Sequence, residues 1–311
     1  MNRTLTSIFV TGALTACAGH SPSAPNTQIR PELRATTTAD AQTDRGSIQW
    51  IGGPTAFLER GGLRVITDPM LGPRGRNAFV LPKHPSSGAR NASISRYIAL
   101  PEYSLDGLDA ILISHTHADH VDARAKELLP KNLPLVVAVA GADAMRAAGF
   151  QDVRPLDWGE ATTIAKGSTE LRVLALPAHH SHEADVDREV GKGNGYLLEW
   201  RDARGSYRAY WTGDAVVSDE TRDFVQQYGR VDLLLPHMGG VGGDGERGLR
   251  TMNAEEALEL TRRVDPKIVM PIHHTTFGHY REPIEALEQQ AQEKGEAARF
   301  RFLRLGERVA L

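Results

Sequence analysis

Six consecutive residues, His115-Thr116-His117-Ala118-Asp119-His120, carry three imidazoles and one carboxylate. Neutral imidazole and carboxylate are zinc ligands. An exposed polar loop rich in histidine would explain the composition but not the flanks. Upstream, residues 108–114 form an apolar run bounded by polar groups, with the length of a buried strand and no helical period. Downstream, Asp122 stands where a helix N-cap is wanted, ahead of helix formers that stop before Pro130. The cluster therefore falls on a strand-to-helix turn, where a rigid scaffold gathers binding groups. Four adjacent donors cannot all reach one tetrahedral ion. His115 and His117 alternate across an extended backbone and can share one metal, which frees Asp119 and His120 to face a second. A catalytic zinc takes about three protein ligands and keeps one position open, so partners must come from elsewhere in the chain.

Three further apolar segments end in metal-capable residues: Leu176-Pro177-Ala178-His179-His180-Ser181-His182, Tyr210-Trp211-Thr212-Gly213-Asp214 and Met270-Pro271-Ile272-His273-His274. Each alone is weak, because a histidine at a strand end is more often a hydrogen-bonded surface or core residue. Together with the cluster they point to one site. Asp214 ends an apolar strand, where a buried unpaired carboxylate would cost several kcal/mol. A carboxylate has two oxygens and can instead bridge two cations.

The elements that must position these groups read as follows. Strands are expected over residues 47–51, 56–59 and 63–67, with Arg60-Gly61-Gly62 as a hairpin turn. A long Gly/Pro/Arg-rich loop is expected from there to about residue 95. Strands follow at 110–114 and 135–138, with helices after Asp122 and over 142–148. The second half gives strands at 171–176, 195–200, 207–212, 231–235 and 268–272, and helices over 219–228, about 254–264 and 283–294. The sequence Asn253-Ala254-Glu255-Glu256 resembles a capping box. Residues 299–303 and 308–310 are expected to close the chain as strands. Strands in runs, then alternating with helices, suggest two mixed sheets packed together with helices outside.

The 311 residues, 41% of them hydrophobic, suffice for a sizeable core. Net charge is −3, and nothing argues for non-specific nucleic-acid binding. The N-terminus reads as a targeting segment. Arg3 precedes a short apolar run that ends in Leu14-Thr15-Ala16-Cys17, which resembles the lipobox of bacterial lipoproteins. Residues 1–16 are then expected as a signal peptide, with Cys17 lipidated and holding the protein on the outer membrane facing the periplasm. Cys17 is the only cysteine, so no internal disulfide framework exists. Residues 17–45 have no sustained period and read as a flexible tether.

The order of these segments resembles that of the metallo-β-lactamase-fold hydrolases, whose motif the cluster at 115–120 matches. Within that superfamily the chain is similar to the branch containing N-acyl-phosphatidylethanolamine phospholipase D and the ascorbate-phosphate lactonase-like proteins. The segments that carry this are Trp50-Ile51-Gly52-Gly53-Pro54-Thr55, Thr67-Asp68-Pro69, Thr251-Met252-Asn253-Ala254-Glu255-Glu256-Ala257 and Ile272-His273-His274-Thr275-Thr276-Phe277. The resemblance implies an α/β fold over residues 46–311, a four-layer αββα sandwich of two mixed sheets flanked by helices. It implies that His115, His117 and His180 bind one zinc, that Asp119, His120 and His273 bind a second, and that Asp214 bridges them. In that branch the ligand lies three residues after the strand-end proline, which selects His180 over His179. The Ile-His-x-x-Thr-Phe pattern selects His273 over His274. His179 and His274 would then be supporting neighbours, and Asp68 would orient the ligand loop, since a ligating histidine needs a partner at its other ring nitrogen.

Two zinc ions about 3.5–4 Å apart can hold a bridging hydroxide and stabilise an oxyanion. Manganese or iron would suit the same groups. The implied reaction is hydrolysis without a serine or cysteine nucleophile, with Asp119 able to receive or relay a proton. A phospholipid-like phosphodiester is the favoured substrate, and a lactone or phosphorylated-sugar ester the alternative. β-Lactams and nucleic acids fit less well. A redox di-iron protein would want a flavin-binding partner domain, and a non-catalytic envelope scaffold would be expected to have lost ligands. The glycine-rich run 237–245 allows close backbone approach to a ligand. Arg74, Arg76, Arg247 and Arg250 are candidate phosphate forks.

Overall fold

The structure is a computed structural model in which residues 46–81, 92–242 and 248–311 are described. The expected signal segment and tether lie outside those residues, as do Arg247 and the end of the glycine-rich run. The order begins with β1 (Ser47–Gly52), β2 (Thr55–Arg60) and β3 (Leu63–Thr67). A hairpin of β4 (Gly75–Leu81) and β5 (Ala92–Arg96) follows. Then come β6 (Ala110–Ile113), α1 (Ala123–Leu128), β7 (Pro134–Ala138), α2 (Ala142–Ala147) and β8 (Asp152–Leu156). Next are β9 (Ala161–Lys166), β10 (Thr169–Ala178), α3 (Ala184–Val190), β11 (Gly193–Asp202), β12 (Gly205–Trp211) and α4 (Phe224–Tyr228). The order is completed by β13 (Leu233–Leu235), α5 (Ala254–Val264), β14 (Ile268–Val269), α6 (Ile284–Glu293) and β15 (Arg308–Ala310).

Thirteen of these strands form two sheets, ordered β15-β1-β2-β3-β6-β7-β8 and β14-β13-β12-β11-β10-β9. Both are mixed. β3, β6, β7 and β8 run parallel beside an antiparallel β15-β1-β2-β3 edge, and β12, β13 and β14 run parallel beside antiparallel β9 to β12. Period-2 alternation decides what each face buries. On β10, Leu171, Val173 and Ala175 enter a core shared with Ile48, Leu58, Val65 and Leu112 of the facing sheet. Leu174 and Leu176 of the same strand point outward and pack with Leu258 and Leu260 of α5 and Leu287 of α6. The outer face of the first sheet is covered likewise, with Ile111 and Ile113 against Ala125 of α1 and Met145 of α2. The result is the expected four-layer αββα sandwich. The β2–β3 turn needs positive φ at both central residues, and Gly61 and Gly62 adopt +56° and +78°.

Three expectations are corrected. The stretch between Asp68 and residue 95 is not one loop, because β4 and β5 pair within it. Phe79 and Ile94 turn inward to Met70 and Phe277, a short alternation hidden by the glycines, prolines and arginines around it. Residues 299–303 do not form a strand. A 3-10 turn at Ala297–Arg299 precedes a single bridge between Val269 and Phe300. The helix expected from residue 219 begins at Phe224, after a separate 3-10 turn at Asp219–Thr221.

α5 starts where Asn253 accepts a hydrogen bond from Glu256 N at 3.0 Å. Only half of a capping box forms, because the Glu256 carboxylate pairs with His182 Nε2 instead. Replacing Asn253 by Ala is expected to cost about 1 kcal/mol of stability, measured by urea unfolding. A midpoint unchanged from the parent would show that the cap contributes nothing.

Candidate metal centre

Strand ends from both sheets deliver the polar groups. β3 ends before Asp68, β6 before the 115–120 cluster, β10 before His180, β12 before Asp214, β13 before His237, and β14 three residues short of His273. Gly213 permits the turn into Asp214. Its φ is +59°, and a Cβ there would meet Asn194 O at 2.5 Å.

Hydrogen bonds from outside set the imidazole tautomers. Asp68 is fully buried, and its carboxylate accepts from Ser114 N at 2.7 Å, from Ser114 Oγ at 2.6 Å and from His120 Nδ1 at 2.7 Å. Ser114 Oγ has one proton and gives it to Asp68. Its contact with His115 Nδ1, at 2.9 Å, must then be one it accepts, so His115 carries its proton on Nδ1 and a lone pair on Nε2. His117 donates from Nε2 to Val190 O at 2.9 Å, leaving its lone pair on Nδ1. His273 donates from Nδ1 to Met238 O at 3.0 Å, leaving Nε2 free. His120, tied to Asp68 through Nδ1, likewise keeps Nε2.

The free nitrogens meet. One ligand atom each from His115, His117 and His180 lie within 4.8 Å of one another. His115 Nε2 is 3.3 Å from His180 Nε2. On the other side, His120 Nε2 is 3.1 Å from Asp214 Oδ2 and 3.7 Å from Asp119 Oδ2. His273 Nε2 is 3.5 Å from Asp214 Oδ1 and 3.8 Å from Asp119 Oδ2. Both Nε2 atoms are buried without a hydrogen-bond partner, which is costly unless something else fills the space between them. A metal ion fits that demand. The seven residues expected as ligands fall in these groups, His115, His117 and His180 in one, His120, Asp214 and His273 in a second, and Asp119 beside His273.

Electrostatics agree with the donor set. Burial, reinforced by neighbouring imidazoles, holds His115 well below its usual value, and burial pushes His180 down to about 3. Their lone pairs are therefore open at neutral pH. Burial also acts on His120, but Asp214, Asp68 and Asp119 outweigh it and hold that ring well above its usual value, so a cation bound at Nε2 would take the place of a proton there. Burial would raise Asp119 and Asp214, yet His120 and the other facing histidines keep both well below the carboxylate range. Three carboxylates around one imidazole call for positive charge.

Asp68 touches no free nitrogen and acts through Ser114 and His120. Its backbone φ of +29° is strained for a non-glycine residue, and Asp68 N is held on Leu112 O at 2.9 Å. Asp68→Ala is expected to weaken divalent-metal affinity about 10–100-fold, read by competition with a chromophoric chelator. Unchanged affinity would refute this support.

The neighbours fall elsewhere. His179 lies over Trp158, with Nδ1 2.8 Å from Asp187 Oδ2. His274 is placed away from the free nitrogens. A φ of +61° at His273 turns the chain, and the His274 ring packs 4.6 Å from Trp50 with Nδ1 on Thr275 Oγ1 at 2.7 Å. Arg74 and Arg76 are exposed beside and on β4. Two histidines join the site that the sequence reading does not include. His237 Nδ1 is 2.9 Å from Asp214 Oδ1, and His279 Nε2 is 3.1 Å from Asp119 Oδ2. His237 ends Leu233-Leu234-Leu235-Pro236-His237, the same apolar-strand, proline and histidine form as the other two segments. His279 has no such signal.

Residues 64–274 match the family described as Beta-lactamase superfamily domain. A metal-dependent hydrolase of Pyrococcus horikoshii is 26% identical over 260 residues, covering 83% of this chain and 97% of that protein. N-acyl-phosphatidylethanolamine-hydrolyzing phospholipase D 1 of Caenorhabditis elegans is 26% identical over 260 residues, covering 77% of this chain and 68% of that protein. The crystal structure of a possible metal-dependent hydrolase from Veillonella parvula superposes with a TM-score of 0.71 at 19% identity, covering 86% of this chain and all of that one, and shows the shared fold. The αββα sandwich, the strand-end donors and the match over most of the described chain lead to one conclusion: the protein belongs to the beta-lactamase superfamily domain family, a family of metal-dependent hydrolases.

Proposed function

We propose that the protein is a two-metal, zinc-dependent hydrolase acting on a phospholipid-like phosphodiester. The observation that carries the metal reading is four imidazoles oriented by a contact on the opposite nitrogen, His115 and His117 in one group with His180, and His120 and His273 facing the buried Asp119 and Asp214. His115, His117 and His180 would hold one ion, Asp119, His120 and His273 the other, with Asp214 shared. When bound, two such ions supply an acidified water and positive charge for a developing oxyanion.

The remaining work falls to the chain's own groups. Asp119 and Asp214 are kept ionised, so either can take a proton at its carboxylate. Asp119 Oδ2 accepts a hydrogen bond from His279 Nε2 at 3.1 Å, which orients the carboxylate and leaves Oδ1 as the oxygen that would take a proton. Asp68 and Ser114 hold the rings of His115 and His120 in place.

The substrate reading is supported by the likeness to the C. elegans phospholipase D. A lactone or phosphorylated-sugar ester is the alternative that the same site accommodates. Zinc-loaded protein should hydrolyse bis-p-nitrophenyl phosphate and an N-acyl-phosphatidylethanolamine faster than a lactone panel or a chromogenic cephalosporin. A preference for lactones would replace the phosphodiester reading, and no metal-dependent hydrolysis of any of them would end both.

We further propose that Cys17 is lipidated and anchors the protein to the periplasmic side of the outer membrane. The support is Leu14-Thr15-Ala16-Cys17 after a short apolar run. Cys17→Ser should abolish fatty-acid labelling, and labelling that persists would sink the assignment.

A further inference from the structure

The second half of the centre holds more donors than a metal needs. His237 lies with His120, Asp214 and His273 in one group whose ligand atoms are within 4.8 Å of one another. It is fully buried, and its ring stacks on His273 with centroids 4.8 Å apart and planes 2° from parallel. By position it could be a further ligand.

Its other contacts argue against that. Trp211 Nε1 is 2.7 Å from His237 Nε2. An indole N–H can only donate, so His237 Nε2 must present a lone pair to it. A neutral imidazole with its lone pair on Nε2 carries its proton on Nδ1, and that atom is 2.9 Å from Asp214 Oδ1. For Nδ1 to bind a metal instead, the proton would have to move to Nε2, setting two N–H groups against each other. A doubly protonated ring fails for the same reason. Neither nitrogen is left for a metal.

We infer that His237 is a positioning residue, clamped between Trp211 and Asp214, that sets the pose of the shared carboxylate before any metal arrives. The inference rests on the two-metal reading of the site. The clamp is built into the sheet. Trp211 ends β12, whose parallel partner β13 aligns it with Leu235. Two residues beyond Leu235, the backbone N of His237 donates to Thr212 Oγ1 at 3.0 Å. Trp211 and Asp214, three positions apart, thus grip one ring from both sides. Trp211 is itself buried and stacked on Tyr196 at 5.5 Å. Asp214 Oδ1 is hydrogen-bonded to His237, while Oδ2 faces His120 at 3.1 Å.

Long-range proton–nitrogen correlation spectra of the imidazoles test this on the native protein, metal-free and zinc-loaded. His237 should show the Nδ1–H tautomer in both states, with no metal-bound nitrogen, while nitrogens of His115, His117, His120 and His273 move on adding zinc. An Nε2–H tautomer, or a His237 nitrogen shifted to a metal-bound value, overturns the inference. If zinc moves no histidine at all, the two-metal reading fails and the tautomer alone still judges the clamp. Variants give a second measure. His237→Leu should raise the dissociation constant of the weaker zinc about 10–100-fold. His237→Asn keeps an N–H close to the Nδ1 position and should recover most of that loss. Equal zinc affinities for the Leu and Asn variants would also overturn the inference.

Discussion

Zinc-loaded protein should contain about two metal equivalents per chain, and Asp214→Ala should hold no more than one. Asp214 is the carboxylate nearest both Nε2 atoms on the second side, with Oδ2 3.1 Å from His120 Nε2 and Oδ1 3.5 Å from His273 Nε2, against 3.7 and 3.8 Å for Asp119 Oδ2. Its removal takes a negative charge from a buried space already holding three imidazoles, where a cation is hard to keep without paired charge. The other side is less exposed to the loss. His115, His117 and His180 are three imidazole donors, which is the usual protein complement of a catalytic zinc. The variant is therefore expected to keep one ion there and to lose hydrolytic activity. Elemental analysis after gel filtration reads the stoichiometry directly. Full activity in a metal-free preparation, or two ions retained by Asp214→Ala, would remove the basis of the proposed chemistry.

How much of this was legible in the sequence depends on how local each signal is. The 115–120 cluster announces itself because four donors share one turn. Asp214 is legible because a carboxylate after an apolar strand and a glycine needs a reason to be there. Asp68 was found only through the resemblance, and its contacts with Ser114 and His120 span 46 and 52 residues. His237 was readable in form, since Leu-Leu-Leu-Pro-His repeats the pattern of the other ligand strands, but the glycines after it read as a loop. His279 was not readable. It follows no strand and reaches Asp119, 160 residues away, through a turn in which His273 and Thr275 both adopt positive φ. Among the sheet elements, the missed strands β8 and β9 lie at sheet edges. One face of β9 meets solvent, and Arg154 and Pro155 interrupt β8. Edge strands need less apolar sequence, so alternation is weak there.

The sharpest contrast expected from single substitutions lies between adjacent histidines. His180→Ala should abolish metal-dependent hydrolysis, and His179→Ala should leave a measurable fraction. The two follow the same proline, but neighbouring side chains on an extended segment point to opposite sides. His180 is 2% exposed, with Nε2 3.3 Å from His115 Nε2. The His179 ring lies on the other side, between Asp187 and Glu220, with Nε2 3.3 Å from Glu220 Oε1. One carboxylate couples them. Asp187 Oδ1 accepts the backbone N–H of His180 at 2.7 Å, and Oδ2 meets His179 Nδ1 at 2.8 Å. Losing His179 leaves the first of these bonds intact, so His180 keeps its backbone anchor and only part of the support for α3 is lost. Supporting contacts of this kind are worth about 10–100-fold in affinity or activity, whereas removing His180 deletes a metal bond outright. Initial rates at saturating zinc, with zinc content measured on the same samples, separate the two. Activity surviving in His180→Ala but not in His179→Ala would move the ligand role one residue upstream and require the loop before α3 to be turned over.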